Sequence, residues 1–349
     1  MKLLKKLLKI LLIFILLIII LIAIWFILPE RTPQIKSSSN NSIATIEYIN
    51  IGEVEQSVLI RSKDINNPII LFLHGGPGMP MMYLAHEFQR PLEENFTVVQ
   101  WDRRGAGKTY SRNKPKPESI NTRQMVDDAF KLIDILRKKY NQDKIVLIGH
   151  SFGTYLGSIM VKEQPELFSA YISIGQVVDI QKALKLQKEF IKKQASLNDR
   201  KEILEILDSQ DPLYFRPYFE KWLFEFGGEL KNSKSFFPLI WSGLQAPEYT
   251  LSDAMNLAKG SSFSSTNMKY NVLSEIIYKE ITEYKVPVYL FVGISDFTTP
   301  HELVTEYFNL IKAPKKEIIY FKNSAHFPFF EEPEEFSYQV KKVLLNTTN

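Results

Sequence analysis

The residues of this chain best suited to chemistry are Gly149-His150-Ser151-Phe152-Gly153. A β-branched run, Lys144 to Ile148, precedes them, and a helix-like stretch, Thr154 to Lys162, follows. A serine at the apex of such a strand–turn–helix sits in strained backbone, which lifts its hydroxyl out of the sheet. The turn also aims the N–H of Phe152 at the same space, where it could bind an oxyanion. The pattern predicts that Ser151 is a nucleophile.

A serine hydroxyl becomes a good nucleophile only when a base takes its proton, so a histidine must lie near Ser151. His326 follows the last strand that the sequence predicts, at the edge of the sheet where α/β proteins bind ligands. We therefore expect His326 to be the general base. The other four histidines are less suitable. His74 precedes the glycines of another loop, and His150 adjoins Ser151 with its side chain expected to point away. His86 belongs to no motif, and His301 starts a helix.

The base needs a carboxylate that orients it and stabilises its protonated form. Asp296 ends the seventh predicted strand, as Ser151 ends the fifth. Asp179, which follows the sixth predicted strand, is the alternative. The sequence favours Asp296 and leaves Asp179 open.

A second oxyanion donor is expected in the loop His74-Gly75-Gly76-Pro77-Gly78, which follows another apolar run. A side chain at Gly76 would block the close approach of a substrate carbonyl, so a glycine there leaves its N–H accessible. We expect the N–H groups of Gly76 and Phe152 to form the oxyanion hole.

Continuous apolar runs that alternate with helix-spaced ones predict a mostly parallel central sheet with helices on both faces. The predicted strands are 45–51, 54–61, 69–73, 96–101, 144–148, 170–174, 286–292 and 317–321, and the main helices are 123–140, 154–162, 302–311 and 333–345. Residues 45–176 and 285–349 then form the two parts of one core. The helical, aromatic-rich stretch 177–284 between them predicts an inserted cap.

The chain has 349 residues and no cysteine, which excludes disulfides, thiolate metal sites and a cysteine nucleophile. Its net charge of +4 equals the charge of Lys2, Lys5, Lys6 and Lys9. A formally neutral remainder gives no indication of nucleic-acid binding. No motif predicts a metal ion or another cofactor.

The amino terminus predicts a membrane anchor. Residues 10–28 are nineteen consecutive apolar residues, long enough to cross a bilayer as a helix. The lysines of the basic segment 1–9 place that end in the cytoplasm and the rest of the chain outside the cell membrane. Residues 29–44, which contain a Ser/Asn tract, predict a flexible tether.

Together these features resemble the α/β-hydrolase superfamily, and within it the proline iminopeptidase-like group. The narrower resemblance rests on His74–Gly78 and on Trp101–Gly107, which is similar to that group's Asp-x-Arg-Gly-x-Gly signature. It covers residues 45–345. It implies an α/β-hydrolase fold and hydrolysis through an acyl-enzyme, with Ser151 attacking, His326 moving the proton and Asp296 orienting it.

The resemblance implies a small-molecule or short-peptide substrate, and first an aminopeptidase that removes amino-terminal proline. Two features depart from the group or remain unassigned. Its elbow typically reads Gly-Gly-Ser-Trp-Gly, and it binds the substrate amine with cap glutamates that cannot be matched here. The cap offers Glu189, Glu202, Glu205, Glu220, Glu225, Glu229 and Glu248. A carboxylesterase and a non-catalytic surface module are the alternatives.

Overall fold

The computed structural model describes residues 2–27, 30–36, 41–209, 216–268 and 280–345. Its centre is an eight-stranded sheet with the order β1-β2-β4-β3-β5-β6-β7-β8. The strands are β1 (Ile43–Ile51), β2 (Val54–Ser62), β3 (Ile69–Leu73), β4 (Thr97–Asp102), β5 (Ile145–His150), β6 (Phe168–Ile174), β7 (Val288–Gly293) and β8 (Lys316–Phe321). Each lies within two residues of the bounds that the sequence predicts.

The sheet is antiparallel at one edge and parallel elsewhere. β1 and β2 form a hairpin that turns at Gly52, whose φ of 57° suits a glycine. β2 pairs antiparallel with β4, and all later pairs are parallel. The carboxyl ends of β3 to β8 therefore meet at one edge, where Ser151, Asp296 and His326 follow their strands.

Helices cover both faces of this sheet, as predicted. The described helices are α1 (Lys2–Ile27), α2 (Ala85–Phe88), α3 (Gly107–Arg112), α4 (Thr122–Lys139), α5 (Phe152–Glu163), α6 (Ile180–Leu197), α7 (Lys201–Ser209), α8 (Arg216–Glu225), α9 (Phe237–Gln245), α10 (Leu251–Asn267), α11 (His301–Leu310), α12 (Pro328–Glu331) and α13 (Pro333–Leu345). Side chains of α4, α5 and α11 pack in one core, and those of α2 and α13 pack in the other. Burial of these apolar faces is what fixes the strand ends in space.

The stretch predicted as a cap is helical where it is described. It contains α6 to α10 and a small core of its own, formed by Ile191, Leu207, Phe219 and Trp222 among others. Residues 210–215 and 269–279 of the predicted cap lie outside the described residues. The sheet resumes with β7.

The predictions for the amino-terminal segment are only partly supported. Within the described ranges, no helix combines the length and the apolar character that crossing a membrane requires, so the predicted span at 10–28 is not supported. The predicted tether 29–44 is not free throughout. Glu30 accepts a hydrogen bond from Tyr48 and pairs with Lys108, and the N–H of Arg31 donates to Pro247 O at 3.3 Å. Residues 29 and 37–40 of that prediction lie outside the described residues.

Candidate active site

Ser151 occupies a sharp turn between β5 and α5. Its φ of 52° and ψ of −122° are strained for a residue with a side chain, and its N–H donates to Ile174 O at 2.9 Å. Both flanking positions require glycine, because a side chain at either one would collide with nearby backbone atoms. A Cβ on Gly149 would lie 2.7 Å from Gly153 O, and one on Gly153 would lie 2.8 Å from His74 O. The serine motif therefore forms the turn that its sequence predicts.

His326 and Asp296 form a buried pair. His326 Nδ1 lies 2.8 Å from Asp296 Oδ2, and the two residues are 2% and 1% exposed. Thr299 completes the arrangement, because its N–H and its Oγ1 donate to the two carboxylate oxygens at 2.8 Å each. With Asp296 accepting from Nδ1–H, the neutral imidazole presents Nε2 as the basic nitrogen.

Two glycines that the sequence analysis did not single out make room for this pair. Gly175 follows β6 with φ of 59°, and a Cβ there would lie 2.9 Å from His326 Cε1. A Cβ on Gly293 would lie 2.8 Å from Ser324 O. A glycine directly after a strand was the available signal, but its neighbour in space was not visible in the sequence.

The loop that carries His326 is held by glutamates and by the cap. Glu331 Oε2 accepts from Ala325 N at 2.7 Å, and Glu331 Oε1 accepts from Lys231 N at 2.6 Å. The N–H of His326 donates to Glu229 O at 3.0 Å. The histidine loop is therefore tied directly to the cap segment around Glu229.

Carboxylates surround the imidazole and change its protonation. Burial lowers the pKa of His326, but the carboxylates of Asp296, Glu229 and Glu331 outweigh it and raise the pKa to about 9. On a carboxyl group burial has the opposite effect. It raises the pKa of Glu229 to about 7, although the charge of His326 and a hydrogen bond from Thr298 oppose the rise. His326 is therefore mostly protonated at neutral pH.

A cavity of about 700 Å³ opens at this site. Ser151 and His326 line it together with Gly76 and Phe152, and Asp296 lies behind His326. None of the hydrogen bonds among the described residues joins Ser151 Oγ to His326. Such bonds often form fully only when a substrate is bound. The four cavity residues and the aspartate are thus brought to one place, and their catalytic roles stay predictions.

The remaining candidates have structural partners. Asp179 caps α6, with its Oδ1 accepting from Lys182 N at 3.0 Å, so Asp296 rather than Asp179 contacts the histidine. His150 Nε2 lies 2.9 Å from His326 O, and burial keeps its pKa well below the usual value. Over the described ranges, no group of three or more acidic, histidine or cysteine residues could hold a metal ion.

Residues 68–333 match a protein family that is described as having the alpha/beta hydrolase fold. This chain belongs to the α/β-hydrolase family. The eight-stranded sheet and the motif loops at its carboxyl edge agree with that membership.

This hydrolase is similar to aminopeptidases along most of its length. It is 29% identical over 309 residues to the probable aminopeptidase YbaC of Bacillus subtilis (strain 168), covering 85% of this chain and 95% of that protein. It is 27% identical over 273 residues to a proline iminopeptidase of Heyndrickxia coagulans, covering 76% and 87%. The resemblance to the proline iminopeptidase-like group is thereby confirmed.

Solved structures share the fold. The proline iminopeptidase-related protein of Thermus thermophilus has a TM-score of 0.62 at 20% identity, and covers 87% of this hydrolase and 98% of its own chain. The proline iminopeptidase of Mycobacterium smegmatis has a TM-score of 0.63 at 18% identity, with coverages of 86% and 98%. At these identities the likeness shows the fold alone.

Proposed function

We propose that this hydrolase is a serine aminopeptidase that removes the first residue, proline foremost, from short peptides. The observation that carries the proposal is the buried Asp296–His326 pair on the same cavity as Ser151 and a buried carboxylate, Glu229. The pair supplies the base for acyl transfer. The carboxylate supplies a partner for a substrate amine.

The reaction proceeds through an acyl-enzyme. Ser151 Oγ attacks the carbonyl carbon as its proton passes to His326 Nε2, and the N–H groups of Gly76 and Phe152 bind the oxyanion. His326 then gives the proton to the departing amine. Water attacks the ester by the reverse proton path and frees Ser151. Asp296 keeps the imidazole oriented and stabilises its charged form.

The position of Glu229 favours a substrate with a free amino terminus. In such a peptide one carbon separates the ammonium group from the carbonyl that is attacked, so its partner must lie close to the base. Glu229 meets this requirement, since its backbone oxygen accepts from His326 N, its carboxylate is close enough to raise the pKa of His326, and the residue lines the cavity. Glu220 lines the same cavity and offers a second carboxylate.

The other cap glutamates have different surroundings. Glu248 is buried and pairs with Arg90 at 3.1 Å, whereas Glu202 and Glu225 pair with Arg200. Only Glu220 and Glu229 among the seven candidates line the described cavity. This selection supports an aminopeptidase and narrows which residues would bind the amine.

The first experiment tests the nucleophile with a fluorophosphonate probe. We expect the wild type to be labelled and Ser151→Ala to remain unlabelled, because the probe phosphonylates an activated serine. Loss of one member of such a triad costs about 10⁴- to 10⁶-fold in turnover. Equal labelling of both proteins would refute the mechanism and favour a non-catalytic module.

The second experiment separates peptidase from esterase. Apolar residues such as Met81, Leu184 and Phe236 also line the cavity, which keeps a carboxylesterase as the second candidate. Prolyl-naphthylamide and p-nitrophenyl acetate should be compared for wild type, Glu229→Gln and the control Glu202→Gln. An aminopeptidase loses the amide activity only in Glu229→Gln. Hydrolysis of the ester alone by the wild type would exclude the peptidase.

We also infer that the enzyme works at a membrane, with its catalytic part outside the cell. Large apolar side chains of α1 between Leu3 and Ile20 are 40–71% exposed, and four lysines lie at its start. Cell fractionation should find the full chain with membranes and a chain lacking residues 1–29 in the supernatant. Added protease should remove the catalytic part from intact cells. A full chain in the supernatant would contradict this location.

A further inference from the structure

The arginine at the variable position of the Asp-x-Arg-Gly-x-Gly match has no role in the proposed reaction. Arg103 follows β4 at the same sheet edge as Ser151, and it is 0% exposed. Its Nη2 donates to His74 O at 2.7 Å and to Pro77 O at 3.2 Å, and it lies 3.4 Å from Gly75 O. A single guanidinium therefore contacts three carbonyls of the loop that contains Gly76.

His74 holds the same loop from the same side. The N–H of Arg103 donates to His74 Nε2 at 3.3 Å, which assigns the proton of the neutral ring to Nδ1, although Nδ1 also lies 3.1 Å from Arg103 Nη2. Nδ1–H then donates to Gly75 O at 2.9 Å. The Gly75 carbonyl is thus directed toward two buried side chains.

The direction of the Gly75 carbonyl also sets the direction of the Gly76 N–H, because both belong to the same peptide group. The described chain has no cis peptide, and the C=O and N–H of a trans peptide point in opposite directions. Gly75 and Gly76 line the cavity beside Ser151, while Arg103 and His74 are buried behind them. With the Gly75 carbonyl facing Arg103 and His74, the Gly76 N–H faces the cavity.

Among the described residues, Arg103 and His74 are the side chains in contact with the Gly75 carbonyl oxygen, so their loss would leave this peptide poorly held. Two consecutive glycines have the widest conformational freedom, and Gly76 already has φ of 106°, where a Cβ would collide with the backbone nitrogens of Gly78 and Met79. A rotated Gly75–Gly76 peptide would direct a carbonyl oxygen into the cavity. That oxygen would repel an oxyanion instead of binding it.

Arg103 also contacts the second oxyanion donor. Its Cζ lies 5.7 Å from the ring centroid of Phe152, the residue whose N–H follows Ser151. We propose that Arg103 is the positioning residue of the oxyanion hole, holding the Gly75–Gly76 peptide with its N–H toward the substrate. This inference deepens the proposed function and rests on it. Burial lowers the pKa of the guanidinium to about 9, so the side chain remains charged at neutral pH.

The test replaces Arg103 by methionine and by lysine, with Arg104→Lys as the matched control. Arg104 is adjacent and equally buried, but it donates to Asp128 at 2.6 Å and to Gly52 O. On p-nitrophenyl acetate, Arg103→Met should lower kcat about 10²- to 10³-fold with KM changed less than about threefold, as for loss of an oxyanion donor. Arg103→Lys should recover about tenfold, since an ammonium can reach one carbonyl. Arg104→Lys should retain kcat.

Affinity for a boronic acid, whose adduct with Ser151 is tetrahedral, should fall by the same factor as kcat in Arg103→Met. A kcat loss equalled by Arg104→Lys, or a boronate affinity that does not change, would overturn the inference. A wild type without activity or labelling would instead refute the proposed function.

Crystal structures of the two Arg103 variants provide a readout independent of turnover. We expect the Gly75–Gly76 peptide to be rotated in Arg103→Met and retained in Arg103→Lys. If the methionine variant does not fold, mixed peptide orientations in the lysine variant are the expected sign of weakened positioning. A peptide that keeps its direction in every variant obtained would overturn the inference.

Discussion

Replacing Glu229 by glutamine should change the pH dependence of catalysis, because its carboxylate helps to keep His326 protonated. A general base acts only in its neutral form, and a pKa of about 9 leaves roughly 1% of His326 neutral at pH 7. We therefore expect kcat/KM of the wild type to rise steeply between pH 7 and 8 and to level off above about pH 9.

Glu229→Gln removes the negative charge and keeps a side chain of the same size that can still accept from Thr298. The pKa of His326 should then fall, and a fall of one unit changes the neutral fraction by up to about tenfold. Hydrolysis of a neutral ester at pH 8 should therefore become several-fold faster. A prolyl amide should become about 10- to 100-fold slower, because a charge-assisted bond to its ammonium contributes roughly 1.5–3 kcal/mol.

The prediction is specific because Glu229→Gln should raise the rate of ester hydrolysis and lower the rate of prolyl amide hydrolysis. Profiles of kcat/KM from about pH 6 to 10 should be measured with p-nitrophenyl acetate and prolyl-naphthylamide for wild type, Glu229→Gln and Glu202→Gln. Glu202 is an exposed cap residue paired with Arg200, so its variant should follow the wild type. An ester profile whose midpoint is the same in Glu229→Gln and wild type would refute the reasoning.

Three further changes test the surroundings of the site. Gly175→Ala should lower the free energy of unfolding in urea by about 1–2 kcal/mol and kcat/KM at least about tenfold, because φ of 59° disfavours alanine and its Cβ would displace His326. Thr299→Val should lower kcat about tenfold at pH 9 with KM nearly unchanged, since Asp296 loses one donor. A chain lacking residues 1–40 should unfold about 1–3 kcal/mol more easily in urea than one lacking residues 1–29, because Lys108 loses Glu30; equal stability would refute this.

The serine motif and the strands of the sheet could be predicted because each depends on residues close together in the chain. The Gly149–Gly153 pattern specifies its own turn, and apolar runs specify strands whose carboxyl ends share an edge. His326 and Asp296 were both expected at that edge because each follows a strand, although Asp179 met the same criterion. Nδ1 of His326 and Oδ2 of Asp296 are 2.8 Å apart.

Glu229, Gly175 and Arg103 could not be assigned a role from the sequence because their partners are distant in it. Glu229 was one of seven cap glutamates, and its direction depends on how the cap folds back on the histidine loop. Nothing local distinguishes Gly175 from a glycine in an ordinary turn. Residues 30–33 were assigned to a tether by composition, yet the partners of Thr32 and Arg31 lie more than 200 residues away.

The cap segment around Glu229 behaves as part of the catalytic core. Gly228 O accepts from Phe297 N at 2.9 Å, Glu229 O accepts from His326 N at 3.0 Å, and Lys231 N donates to Glu331 at 2.6 Å. These bonds join the cap to the loops of both Asp296 and His326. Moving this segment away from the core would therefore disturb His326 together with Glu229, which we propose to bind the substrate amine. We therefore expect substrate to enter without displacing Gly228–Lys231.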